Sequence, residues 1–271
     1  MVSSINQFKV IKMRKSQLSI WGLSLLALCL TISSCKKKND KTTPTPTIGS
    51  VDITSVVQSK FLIALGVNVT TSGNNIIIKS DGRPNNHKTP YWGVGNALYE
   101  PFPAGHATNP NGQILVQNYT MTIPAKPGEA TTKEATTTFA IGMALNGVPF
   151  FNNTEMAGLP LDAGTISSFD GAGGHPAQAG DYHYHSNGTY TSLDDSNLVG
   201  FLRDGFPIYG RKCKDGSYPS NLDIYTGHTA ATTEFPNGIY HYHISNVNYL
   251  NTGYYILKSG SYYGTKGTFT R

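Results

Sequence analysis

The chain has 271 residues, with 21 Lys+Arg against 16 Asp+Glu and a formal net charge of +5. Residues 1–34 hold four of the basic groups and no acidic one, Lys36, Lys37, Lys38 and Lys41 follow, and from Thr42 onward 13 basic face 15 acidic side chains. That balance excludes the basic surface a nucleic-acid partner needs, and three cysteines, at 29, 35 and 213, exclude a disulfide framework.

The first predicted element is an export signal over 1–34. Lys9, Lys12, Arg14 and Lys15 precede an apolar run from Leu18 to Leu30. This is the charge-then-apolar layout of a secretory signal, and the run is shorter than the ~20 residues a membrane span needs. It ends in Ile32-Ser33-Ser34-Cys35, which resembles the lipobox of bacterial lipoproteins. Acylation of Cys35 would make the membrane a partner through the lipid, each buried CH₂ contributing ~0.8 kcal/mol. Lys36 stands where an acidic residue would retain a lipoprotein in the inner membrane, which points to the outer membrane of a bacterial envelope. Residues 35–50 include Thr42-Thr43-Pro44-Thr45-Pro46-Thr47, an extended tether rising ~3.1 Å per residue. No second linker follows, so 51–271 reads as one domain.

Apolar spacing permits one helix over 52–65, ending at Gly66, although its β-branched content disfavours it. The remainder is rich in Gly, Thr, Asn, Tyr and Pro, with short apolar runs between turns. Strands are predicted over 75–79, 113–123, 137–145, 182–185, 198–203, 239–244 and 254–258, with turns at Asn146-Gly147 and Asn237-Gly238. The expected fold is all-β: a single sandwich- or barrel-like domain with long loops and at most one or two short helices. His87 and His106 fall in polar stretches and read as surface-loop histidines. Cys213, in Arg211-Lys212-Cys213-Lys214, reads as an idle thiol.

The other six histidines form two matching groups. Gly174-His175 precedes Gly180-Asp181-Tyr182-His183-Tyr184-His185, and Gly227-His228 precedes Gly238-Ile239-Tyr240-His241-Tyr242-His243. In an extended tetrapeptide the two histidines share one face and the two tyrosines the other. Two imidazoles at i and i+2 can converge on one cation, and a third completes the three-histidine set that leaves Zn²⁺ one open position. His175 could complete the His183/His185 pair and His228 the His241/His243 pair; alternatively both pairs could face each other and share one or two metals. Imidazole suits zinc, copper, nickel or iron, and zinc or copper is the expected cofactor. The tyrosines read as packing.

These residues resemble the YHYH family of exported bacterial proteins, named for the tetrapeptide. The likeness includes 81–92 (Asp81-Gly82-Arg83-Pro84-Asn85-Asn86-His87 onward), 141–150 with Asn146-Gly147, and 198–210 with Asp204-Gly205, and runs from about Asp81 to Gly264. The resemblance implies that the histidines and Asp204 belong to a shared site, but it brings no activity with it. The segment 222–227 departs from relatives, where a more acidic or cysteine-containing version is common.

Three functions compete. A metal-dependent hydrolase would use a metal-bound water, with Asp204 or Asp181 as base or as a partner orienting a ligand imidazole. A copper- or zinc-binding protein would hold metal without catalysis. A surface protein for glycans, peptides or other small-molecule ligands would use exposed members of the 16 Tyr, 11 Phe and 2 Trp.

Overall fold

Short extended segments joined by long loops make up most of the computed structural model, which describes residues 50–271 except 138, 156, 157 and 189–195. The signal at 1–34, Cys35 and the tether up to residue 49 lie outside the described residues. Among the described residues the architecture is mainly β: two sheets and two short helices, α1 (Thr54–Lys60) and α2 (Ala163–Ser167). The helix expected over 52–65 stops early because Phe61 takes extended backbone angles (φ −66°, ψ 139°), and only a 3-10 turn, Ile63–Leu65, follows. Among the described residues no helix is long and apolar enough to cross a membrane.

The smaller sheet is antiparallel, in the order β1 (Asn68–Ser72), β2 (Asn75–Ser80), β3 (Tyr119–Pro124), β12 (Thr268–Thr270). Ile76, Ile78, Met121 and Ile123 are fully buried in it, on the alternating positions that one covered face requires. The larger sheet has eight strands: β4 (Gly142–Ala144), β5 (Pro149–Phe150), β6 (Gly174–Pro176), β7 (Tyr182–Tyr184), β8 (Leu198–Leu202), β9 (Pro207–Tyr209), β10 (Gly227–Ala230) and β11 (Ile239–His243). Their spatial order is β10-β11-β9-β8-β4-β5-β7-β6. One hydrophobic cluster joins residues of both sheets with Ile53, Val57 and Phe61 around α1. The strand expected over 113–123 is confined to its second half. The one over 254–258 contributes only an isolated bridge, Ser186 to Ile256.

The eight-stranded sheet is an internal duplication. β4 is antiparallel to β5, β5 parallel to β7, and β7 antiparallel to β6. The same relations link β8 to β9, β9 to β11, and β11 to β10. The halves meet where β4 pairs antiparallel with β8: Gly142 with Leu202, Met143 with Phe201, Ala144 with Gly200. Reciprocal bonds flank this seam, Leu145 N–H to Val199 O at 3.1 Å and Arg203 N–H to Ile141 O at 2.9 Å. An approximate twofold axis therefore passes through the Met143–Phe201 pair, with Asn146-Gly147 of one half matching Asp204-Gly205 of the other.

Gly142 and Gly200 let the halves approach. A Cβ at Gly200 would lie 2.3 Å from Met143 O and 2.9 Å from Ala144 Cα, and one at Gly142 2.5 Å from Phe201 O. Backbone on both sides cannot yield as a side chain can. Gly200→Ala is expected to destabilise by about 1–3 kcal/mol, read as a lower urea midpoint at unchanged slope. Gly128→Ala, where a Cβ meets nothing within 4 Å, is the control expected to stay within about 0.5 kcal/mol.

Candidate metal centres

Pairing of β6 with β7 sets His175 directly opposite His183, and β10 with β11 sets His228 opposite His241. Strand alternation places His185 beside His183 and His243 beside His241 on the same face. The ring nitrogens then converge. His183 Nε2 lies 3.0 Å from His185 Nε2, and the His175 ring centroid is 4.7 and 5.3 Å from theirs. In the second group His228 Nε2 is 3.1 Å from His241 Nε2 and 3.2 Å from His243 Nε2.

The other nitrogen of each ring decides where its proton sits. Nδ1–H of His183 and His241 donates to the carbonyls of Asp181 (3.0 Å) and Ile239 (2.9 Å), two residues back on the same strand. His185 and His243 donate to Asn152 O (2.6 Å) and Gly210 O (2.7 Å). His228 Nδ1 meets Asn221 Oδ1 at 2.8 Å. His175 Nδ1 meets Ser168 Oγ at 2.6 Å, and that hydroxyl spends its own proton on Thr165 O, so the imidazole is the donor. Carbonyls only accept, so each ring keeps its single proton on Nδ1. Burial enforces neutrality: it lowers His183 and His243 to about 4 and His241 to about 3, holds His175 and His185 well below the ordinary value, and lowers His228. Six Nε2 lone pairs therefore face one another in threes. Neutral lone pairs 3.0–3.2 Å apart cannot bond to each other, and a cation placed between them would satisfy them.

The tyrosines occupy the opposite face with acceptors of their own. Tyr182 donates to Asp170 Oδ2 (2.6 Å), Tyr240 to Asp223 (3.0 Å) and Tyr242 to Asp204 Oδ2 (2.5 Å), while Tyr184 accepts from Asn146 Nδ2 (3.0 Å). Asp170 and Asp223 close the same loop in each half, their Oδ1 accepting from the N–H of Gly174 and of Gly227, each at 3.2 Å. A Cβ at Gly174 would fall 2.6 Å from Tyr182 Oη, and one at Gly227 2.3 Å from Tyr240 Oη. The glycine of each Gly-His pair thus makes room for a tyrosine to reach its aspartate.

This double face of histidine and tyrosine accounts for the tetrapeptide. Residues 120–221 are a YHYH-protein family domain. The YHYH match takes in β3 to β9 and the first histidine group, and ends before His228, His241 and His243, which the duplication brings into the same arrangement. No curated protein and no solved structure matches the chain.

The histidines form two groups rather than one. β5, β4, β8 and β9 stand between β7 and β11, about 24 Å along the sheet at ~4.8 Å per strand, and the ligand atoms gather in two separate groups. Two sets of side chains could each hold a metal ion: His175, His183 and His185, and Cys213, His228 and His243. Asp204 is fully buried on the tyrosine side, bonded by Tyr242, Gly264 N–H (2.9 Å) and Phe206 N–H (3.2 Å), and burial raises it to about 6. Asp181 turns its carboxylate to Arg271 at 2.6 Å. Neither carboxylate joins a triad. His87, expected on the surface, is buried: Nε2 lies 3.3 Å from Tyr182 Oη and Nδ1 3.2 Å from Tyr184 Oη. Since Tyr182 gives its proton to Asp170, His87 donates through Nε2 and accepts from Tyr184. His106 bonds Phe169 O at 2.8 Å, outside both groups.

Sequence reasoning missed Asp170, Asp223 and Cys213. The aspartates carried a signal, because Asp170 to His175 and Asp223 to His228 both read Asp-x-x-x-Gly-His. The sulfur of Cys213 lies 3.9 Å from His228 Nε2, and no spacing in the sequence announces it.

Proposed function

We propose that this protein is an envelope lipoprotein, tethered through Cys35, that binds two transition-metal ions, one in each histidine triad. The observation carrying this reading is the commitment of all six Nδ1–H groups, which leaves six neutral Nε2 lone pairs converging in two sets of three. Tetrahedral ligation with Zn–N bonds of ~2.0–2.1 Å spaces ligand nitrogens ~3.3 Å apart, close to the 3.0–3.2 Å found here. Zinc or copper suits such a nitrogen set. A metal held this way would supply a polarised, acidified water at its free position. Asp204 and Asp181 are engaged elsewhere, and among the described residues no carboxylate joins either triad, so metal binding is favoured over hydrolysis. The export cues at 1–35 support the envelope location.

Protein extracted from the membrane fraction, with fatty acid on Cys35, is expected to carry about two equivalents of metal by elemental analysis. His183→Ala/His185→Ala and His241→Ala/His243→Ala should each retain about one. Metal-free wild-type protein that also fails to take up added zinc or copper would end this reading.

A further inference from the structure

The two triads differ at their mouths. In the second, the ligand atoms of Cys213, His228 and His243 all lie within 4.8 Å of one another. Chain geometry brings the thiol there. Gly210, whose carbonyl accepts from His243, follows β9, and three residues on, Cys213 opens a tight turn closed by its N–H bond to Ser217 O (2.8 Å). In the first half Asn152 plays the part of Gly210, and the residue in step with Cys213 is Glu155. That carboxylate is committed to Thr165 Oγ1 (2.5 Å) and Asp162 N–H (3.0 Å), bracing α2. The first group accordingly contains His175, His183 and His185 and, among the described residues, no fourth ligand. A cavity of about 330 Å³ borders it, its wall including His175, Ser168, Thr165, Thr108 and Asn109, with no charged side chain in its lining; one of about 560 Å³ borders the second group beside Cys213 and His228, so the two centres differ in their fourth ligand and not in access.

We infer that the duplicated centres have divided their roles: Cys213 saturates the second as a three-histidine, one-thiolate site, and the first keeps a position for a small exogenous oxygen or nitrogen donor entering from the cavity beside His175. This rests on the metal-binding reading above. Four protein ligands close a tetrahedral ion, and three leave one position for water or a substrate. With Zn–S of ~2.3 Å, the sulfur–nitrogen edge of such a site is ~3.5 Å; Sγ stands 3.9 Å from His228 Nε2 and within 4.8 Å of the His243 ligand nitrogen, and His241, which reaches the group through His228 Nε2 at 3.1 Å, has to close on the sulfur as the ion binds. On binding, the thiol proton leaves to solvent as the sulfur–metal bond forms. No oxidation state changes.

The full chain loaded with cobalt(II) separates the possibilities. Two bound cobalt ions are expected, with a near-ultraviolet thiolate-to-metal charge-transfer absorption that Cys213→Ser removes while both ions stay bound. Azide should alter the visible bands of one ion only, and His183→Ala/His185→Ala should abolish that response. In Cys213→Ser the second ion should respond as well. Without any substitution, zinc should slow alkylation of Cys213 by iodoacetamide roughly tenfold or more, and a chelator should restore it. Two ions bound with no charge-transfer band, azide acting equally on both, or alkylation indifferent to zinc would overturn this inference and leave the metal-binding reading standing. Failure to take up cobalt or zinc at all would sink both.

Discussion

Taking the metal-free protein from pH 7 to pH 5 is expected to remove at least about 6 kcal/mol of stability, on the scale of the ~5–15 kcal/mol a whole domain possesses. Buried imidazoles cause this. In the unfolded chain each takes a proton as the pH drops through about 6.5. In the folded chain burial keeps His87 and His241 neutral down to about 3, and His183 and His243 down to about 4. Between those limits the unfolded state binds more protons, so stability falls as the pH falls. At pH 5 the loss is about 2 kcal/mol for each of the four. Asp170 and Asp204 act in the opposite direction. Burial raises both to about 6, so the folded state takes up their protons first, and their contribution is present in acid and lost as the pH rises through that value. Over the same interval they return only about 1 kcal/mol each. The histidines win by number. Urea unfolding of chelator-treated protein at pH 7, 6 and 5 measures the difference, and a midpoint that rises toward acid would show that the imidazoles are not held neutral. Loaded protein should show the same sign more steeply, because protons and metal compete for Nε2.

The fold class was legible because short apolar runs separated by Gly, Asn and Pro leave little room for long helices. β2, β8 and β11 were placed to within a residue or so, since each is five or six residues long with an apolar run. β5, β6 and β9 were not: each has two or three residues and includes Pro149, Pro176 or Pro207, which reads locally as a turn. They exist because the longer strands beside them and the duplicated seam hold them. The histidine face followed directly from strand periodicity, but periodicity says nothing of which strands intervene, so one centre and two looked alike until the sheet order separated them. His87 was misread for a related reason. Its neighbours Pro84, Asn85, Asn86 and Pro90 have loop chemistry, and the loop is real; what buries the ring is the pair of tyrosines from β7, 95 and 97 residues away. The repeat itself extended further in the sequence than the histidines, from Asn146-Gly147-Val148-Pro149 to Asp204-Gly205-Phe206-Pro207, and that alignment points to the seam between halves.

Asp204→Ala is expected to destabilise the fold by about 4 kcal/mol or more, since three buried donors (Tyr242 Oη–H, Phe206 N–H and Gly264 N–H) lose their acceptor at ~1–3 kcal/mol apiece. Asp204→Asn is the sharper experiment, because the duplicated half already carries Asn146 at the matching position. There the amide works: Nδ2 donates to Tyr184 Oη and to Asn86 Oδ1, Oδ1 accepts from Val148 N–H, and Tyr184 passes its proton to His87. At 204 the surroundings are reversed. Tyr242 already accepts from Tyr263 N–H at 2.7 Å and needs an acceptor for its own proton, and Gly264 N–H points at the same oxygen. Whichever way an amide is turned there, its NH₂ meets a backbone N–H, that of Phe206 or that of Gly264, and in the second orientation the tyrosine proton also loses its acceptor. A loss of about 2–3 kcal/mol is therefore expected although the side chain keeps its shape. Tyr242 lies between His241 and His243 on β11, so metal affinity at the second centre should fall with it, while the first centre keeps its ion. Denaturation midpoints together with metal content per centre distinguish the alternatives. A variant with wild-type stability and two full centres would mean that the carboxylate is not there to hold Tyr242, and its place would have to be sought in chemistry at a bound ligand instead.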